Sequence, residues 1–330
     1  MPYRCFSLYL IRRKFLKSFN ILSIDGGGIL GLYSASMLEQ IQKEFCNGQP
    51  LSEKFNLMAG TSTGGIIALA LAISSDASRI VEFYKNFGEK IFPKKHRFGC
   101  LKEKYSNIPL KKALENFFGD KTISNCKSKV CIPAIDAVNC QPIIFKTNNN
   151  GKLNRDENTK LVDIALATSA APTYFPMYAF DNFLGLVDGG LWQNNPALFA
   201  VIEAVNYFVG EDKEFDCINI LSIGNPLSAL PNSIKSNSTN SSIAKLNINL
   251  VTLPMKISSI GTNQILRFLH KNHALNVNKY LRIESQNVPN DIKKLSLDLA
   301  TEEVFNLMLS RCANDFNQNK CDLYDFFKEN

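Results

Sequence analysis

A three-layer α/β/α fold around a mostly parallel central sheet is what this sequence predicts, on three observations. Apolar runs of strand length recur along the chain, at residues 19–24, 55–59 and 217–223 among others. Segments whose apolar residues return at helical spacing alternate with them. Strands alternating with helices imply parallel pairing, with helices covering both faces of the sheet.

Each element follows in turn. Residues 19–24 stop at Asp25-Gly26-Gly27-Gly28, which reads as a buried strand entering a glycine loop. Leu32, Met37, Leu38, Ile41 and Phe45 keep helical spacing with charged residues between them, so 32–45 is a helix packed on the sheet. A strand at 55–59 leads into a helix ending near 73, and a further helix spans 77–87. Residues 88–108 mix Gly, Pro, Lys, Phe and Tyr without a period, as in a surface insert or lid, and a short helix at 109–118 closes it. Strands at 130–138 and 142–145 are joined by a tight turn, and 148–151 is an exposed loop. A small-residue helix at 161–171 ends before Pro172. Two apolar stretches within 174–188 deliver Asp188-Gly189-Gly190, before a helix at 197–208 and a buried strand at 217–223. The Asn- and Ser-rich run at 232–242 is a loop. The tail carries a helix at 260–275, a strand at 280–283 and a helix at 301–313. The expected organisation is one domain over 20–330, with a basic insert near 88–108, a helical C-terminal part and a basic extension at 1–19.

Nine cysteines without C-x-x-C spacing exclude a zinc cluster or a small disulfide scaffold and suit a reducing cytosol. The formal charge of +7 is concentrated in two places. Residues 1–19 hold Arg4, Arg12, Arg13, Lys14 and Lys17 and no acidic residue, and residues 85–112 hold nine Lys or Arg against Glu89 and Glu103. Membrane headgroups or a phosphate-bearing ligand would suit these stretches; a solvated basic face is the plainer reading of any one lysine. No apolar segment reaches the roughly 18 residues needed to span a bilayer. The N-terminal stretch lacks the layout of a secretory signal. A cytoplasmic protein, peripheral at a membrane, is the expectation, with no nucleic-acid partner.

Chemistry concentrates in three motifs. Gly60-Thr61-Ser62-Thr63-Gly64 lies between an apolar strand and a small-residue helix, the pattern of a nucleophile elbow. Glycines on either side let the backbone take a strained turn that lifts a serine hydroxyl above the sheet. Asp25-Gly26-Gly27-Gly28-Ile29-Leu30-Gly31 follows one strand and Asp188-Gly189-Gly190 a later one. In a doubly wound sheet the carboxyl ends of the strands share a rim, where the three motifs can meet.

In this order the motifs resemble those of the patatin-like phospholipases, and the resemblance covers most of the chain, from about 21 to 283. It implies hydrolysis of acyl esters of phospholipids or lysophospholipids through an acyl-enzyme, with Ser62 as nucleophile, Asp188 as its base and the amides of Gly26, Gly27 and Gly28 as an oxyanion hole. Neither a metal nor an organic cofactor is implied. His96, His270 and His273 lie in no motif that would complete a triad. The family usually carries Arg or Lys where this chain has Leu30, and the expectation is that Leu30→Arg leaves the fold and hydrolysis intact. The resemblance extends to bacterial defence effectors gated by a cyclic nucleotide, for which the insert, with Phe92, Phe98 and Tyr105 among its cations, is a candidate phosphate site. Gly26 to Gly31 also satisfies G-x-G-x-x-G, but a dinucleotide-binding oxidoreductase wants an acidic residue ending the second strand, and Glu53 precedes it. A catalytically inactive binding protein is disfavoured by the presence of both Ser62 and Asp188.

Overall fold

In the computed structural model, residues 16–94, 103–152, 154–226, 249–285 and 295–328 are described, 249 and 250 by backbone alone. Residues 1–15 of the extension expected over 1–19, the middle of the insert with His96 and Phe98, and the loop at 232–242 lie outside the described residues; β1 takes up Ser18 and Phe19.

The chain opens with β1 (Ser18–Ile24), α1 (Gly31–Phe45), β2 (Leu57–Gly60), α2 (Thr63–Ala72), α3 (Ala77–Ile91) and α4 (Ile108–Phe118). It continues through β3 (Lys129–Asp136), β4 (Gln141–Lys146), α5 (Leu161–Thr168), β5 (Tyr178–Phe180), β6 (Phe183–Asp188) and the single turn α6 (Gly190–Gln193). It closes with α7 (Ala197–Tyr207), β7 (Cys217–Ile223), α8 (Asn249–Lys271), β8 (Val277–Ile283) and α9 (Glu302–Phe327). Eight strands make one sheet in the order β5-β6-β3-β2-β1-β7-β8, with β4 also paired to β3. Five strands run parallel, from β3 through β2, β1 and β7 to β8.

Alternation along β1 shows why the sheet is covered twice. Leu22 and Ile24 join the larger core with α1, α2, α3 and α9, while Phe19 and Ile21 join a smaller one with α7 and Leu266 of α8. Side chains two apart share a face, so one buried strand feeds both cores.

One feature of the topology corrects the expectation that all three motifs sit at carboxyl ends of parallel strands. β6 runs antiparallel to β3, pairing Asp188 with Ala134. β2 pairs Ala59 with Cys131 on the same edge of β3. β6 therefore fills the lane that β2 vacates at Gly60, and Asp188 reaches the elbow head-on from the opposite direction.

Two helices exceed their expected lengths. α8 begins at Asn249, where Pro254 and the Ser258-Ser259 pair obscure the helical period, and α9 runs to Phe327 through a stretch rich in asparagine. Packing outweighs weak propensity in α9: Phe316, Leu323 and Phe326 are buried, with Phe326 stacked on Phe55. No described helix is long and apolar enough to cross a membrane.

Candidate active site

The elbow is built from steric necessity. A Cβ at Gly60 would lie 2.0 Å from the carbonyl oxygen of Gly64, and one at Gly64 would lie 2.3 Å from that of Ile24. Ser62 caps α2 at φ 54° and ψ −126°, a conformation that costs a residue with a side chain about 1–3 kcal/mol. Hydrogen bonds hold it there. The Ser62 N–H donates to Thr168 Oγ1 at 3.0 Å, and Thr168 in turn donates to the Pro133 carbonyl at 2.6 Å. Beside it, Thr61 Oγ1 donates to the Gln193 carbonyl at 2.7 Å.

Asp188 is 2% exposed and lines the same pocket as Ser62. Its Oδ1 accepts the Gly190 N–H at 2.7 Å. Among the described residues its Oδ2 is buried without a hydrogen-bond partner, in the pocket that Ser62 also lines. Burial pushes the carboxyl up to about 7, against the smaller opposing pulls of Ser62 and the Gly190 amide. Desolvation thus supplies what a Ser-Asp pair lacks in water, a carboxylate basic enough to take a proton near neutral pH.

The glycine loop is divided between two tasks. The Gly26 N–H donates to the Asn194 carbonyl at 3.1 Å, which corrects the expectation that all three glycine amides face the reaction. Gly26 serves by its bareness: a Cβ there would meet Asn194 Oδ1 at 2.4 Å and Ser62 Cβ at 3.1 Å. Among the described residues no hydrogen bond takes up the Gly27 or Gly28 N–H, and Gly28 lines the pocket. Gly28 has φ +58°, and the Leu297 carbonyl lies where its Cβ would be. That carbonyl accepts the Ile29 N–H at 2.8 Å, so the loop is pressed from above and held from behind.

Asp25 anchors the loop through a residue the sequence did not single out. Arg282 of β8 donates to Oδ1 at 2.7 Å and to Oδ2 at 2.6 Å, and Ser259 of α8 donates to Oδ2 at 2.7 Å. Burial raises the Asp25 carboxyl and Arg282 opposes that rise; the two-pronged contact is the geometry of an ion pair. Asn194 and Asn225 add bonds to the Gly26 carbonyl at 3.3 and 3.0 Å. The signal for Asn194 lies in Asn194-Asn195-Pro196, a run that otherwise reads as an ordinary turn and that three residues separate from the Asp188-Gly189-Gly190 motif.

Above the elbow the pocket is apolar. Ile66, Phe83, Ile91, Phe92, Leu110 and Phe175 wall it, so the insert's flanks contribute to the groove in which an acyl chain fits. Two of the insert's three aromatics are engaged in packing here. Phe92 and Tyr105 pack edge to face at 5.4 Å, and Tyr105 donates to Asp298 at 2.8 Å, where Lys104 also pairs. His270 and His273 lie at the end of α8 and beyond it, outside the pocket lining.

Leu30 is fully buried in the larger core. That overturns the expectation that Leu30→Arg is harmless, because a guanidinium there would sit among apolar side chains.

A serine ester hydrolase is the class that this fold and this constellation define: a strained serine, a carboxylate oxygen unpartnered among the described residues, and Gly28 of the glycine loop share one apolar cleft. The family model for patatin-like phospholipases matches residues 22–201, a span that holds all three motifs. The cGAMP-activated phospholipase of Vibrio cholerae serotype O1 is 31% identical over 340 residues, covering 93% of this chain and 94% of that protein. The cGAMP-activated phospholipase of Escherichia coli strain TW11681 is 34% identical, over 64% of each chain. Patatin-like protein 2 of Arabidopsis thaliana is 36% identical, over 59% of this chain and 54% of its own. The chain belongs to the patatin-like phospholipase family.

Proposed function

We propose that this chain cleaves acyl esters of membrane phospholipids or lysophospholipids through a Ser62–Asp188 dyad. The observation that carries the reading is the buried, unpartnered Oδ2 of Asp188 in one apolar pocket with the Ser62 hydroxyl. Ser62 Oγ attacks the ester carbonyl while Asp188 takes its proton, and the Gly27 and Gly28 amides stabilise the oxyanion. Collapse passes the proton from Asp188 to the leaving alcohol and leaves an acyl-Ser62. Water then attacks with Asp188 again as base; collapse of the second intermediate returns the proton to Ser62 Oγ and frees the fatty acid. The catalytic unit spans 20–330.

A second reading concerns control. The Vibrio cholerae relative, similar along nearly the whole chain, is named as cGAMP-activated, which supports gating of this site by a cyclic nucleotide. Fatty acid release from mixed phospholipid vesicles, by the wild type and by Ser62→Ala, with and without a panel of cyclic dinucleotides, tests both. Release abolished by Ser62→Ala is expected. Dependence on one nucleotide supports gating, whereas release that survives Ser62→Ala overturns the dyad.

A further inference from the structure

Helix α8 carries its polarity inside out. Its inner side is hydrogen-bonded into the active site: Ser259 to Asp25, Ser258 Oγ accepting the Asn194 N–H at 3.0 Å, and Thr262 Oγ1 accepting from Gln193 Nε2 at 3.3 Å. Met255, also inward, lines the pocket beside Asp188. The outer side presents large apolar residues to solvent. Leu253 is 43% exposed, Ile257 61%, Ile260 44% and Phe268 64%. Spacings of four, three and eight put these four on one helical stripe, with exposed Gln264 between Ile260 and Phe268 and Ile265 at its margin. Water solvates such a stripe poorly, and a run of this length on one helix marks a docking face.

Charge decides the partner. Residues 249–271 contain Lys256, Arg267, His270 and Lys271 and no Asp or Glu. Arg267 and Lys271 are exposed and lie along the edge and at the end of the stripe. An apolar face of Leu, Ile and Phe flanked by cations alone is the pattern of a helix that lies in the interfacial plane of an anionic bilayer. On the reading that the substrate is a phospholipid, the position also makes sense of the site, because the helix that would touch the lipid surface supplies a wall of the acyl pocket and holds Asp25.

We infer that the outer face of α8, from Leu253 to Phe268, docks this protein onto an anionic phospholipid surface. The test is co-sedimentation with vesicles of phosphatidylglycerol and phosphatidylethanolamine, and with phosphatidylcholine vesicles, by the wild type and Ile257→Ser/Phe268→Ser. Thermal midpoints and light scattering are recorded on the same samples. Wild-type binding to the anionic vesicles that falls at least tenfold in the double variant, with an unchanged midpoint, is expected. Arg267→Glu/Lys271→Glu keeps the apolar stripe and is expected to lose the preference for anionic over phosphatidylcholine vesicles. Equal sedimentation of wild type and both variants would overturn the inference. So would absence of vesicle binding by the wild type, including the case in which the double variant converts a dimer to a monomer and the face belongs to a second copy. Because vesicle binding needs no hydrolysis, it is read separately from cleavage of a water-soluble short-chain ester with the cyclic dinucleotide panel present: absence of that cleavage in the wild type would count against the Ser62–Asp188 reading and leave the docking result standing.

Discussion

Asp25 and Asp188 look interchangeable in the sequence. Asp25 directly follows β1 and Asp188 ends β6, a run of glycines comes after each, and each is almost wholly buried, at 3% and 2% exposure. Their surroundings are opposite. Asp25 meets Arg282 on both oxygens and Ser259 on one, whereas Asp188 meets a single backbone N–H and keeps Oδ2 unpartnered. A buried carboxylate with its partners in place is a fastener; one left short of partners suits the base proposed for Ser62. The difference teaches that chemistry here comes from what is withheld around a carboxyl group, since the motif around each is nearly the same.

The largest effects fall on the ready carboxylate and its serine. Ser62→Ala should lower fatty acid release by about 10⁴-fold or more, and Asp188→Asn by about 10³–10⁴-fold, measured at saturating substrate. Asp188→Asn should at the same time stabilise the protein. Its folded carboxyl titrates near 7 against an ordinary value of 3.8, so above pH 7 the buried charge costs the fold up to about 4 kcal/mol. That cost fades as pH falls from 7 to 4, where both states hold the proton. The melting point of Asp188→Asn should thus exceed the wild type's at pH 8 and converge with it by pH 4; a variant less stable at pH 8 would place Asp188 with the fasteners.

The fastener should behave in reverse. Asp25→Ala leaves buried Arg282 with Glu284 and the Ser222 hydroxyl but without the carboxylate that occupies its fork, and should cost about 3 kcal/mol in chemical denaturation. A cost under 1 kcal/mol would break the comparison. Leu30→Arg buries a charge in the core and should cost about 3 kcal/mol or more, visible as a fall in melting point. Thr168→Val strands the Ser62 N–H; a loss of about 1–3 kcal/mol in stability, with a fall in turnover as the elbow loosens, is the smallest effect expected.

Much of this was legible because it is local. The elbow, the glycine loop and the Asp188 turn declare themselves by glycine spacing, since a Cβ at Gly60 or Gly64 would collide with backbone. What the sequence concealed acts across long separations. Arg282 reaches Asp25 from 257 residues away, and nothing in its own stretch marks it. The approach of β6 was hidden because apolar runs carry no sign of direction. The Gly26 amide is illegible for a related reason: its partner, the Asn194 carbonyl, is an ordinary backbone group far along the chain. Leu30 read as a missing cation because its burial depends on how the turn seats against the core. The stripe on α8 is concealed as well, because its outward apolar side resembles a core face until the fold shows serines and a threonine pointing inward.

The most direct test of the account is a titration of the Asp188 carboxyl in the folded protein, by infrared difference between the wild type and Asp188→Asn from pH 4 to 9. A carboxyl band that disappears with a midpoint near 7 in the wild type, and is missing from Asp188→Asn, is the predicted result. A carboxyl already ionised at pH 5 would contradict it, because Asp188 would then be an ordinary buried partner and too weak a base for Ser62.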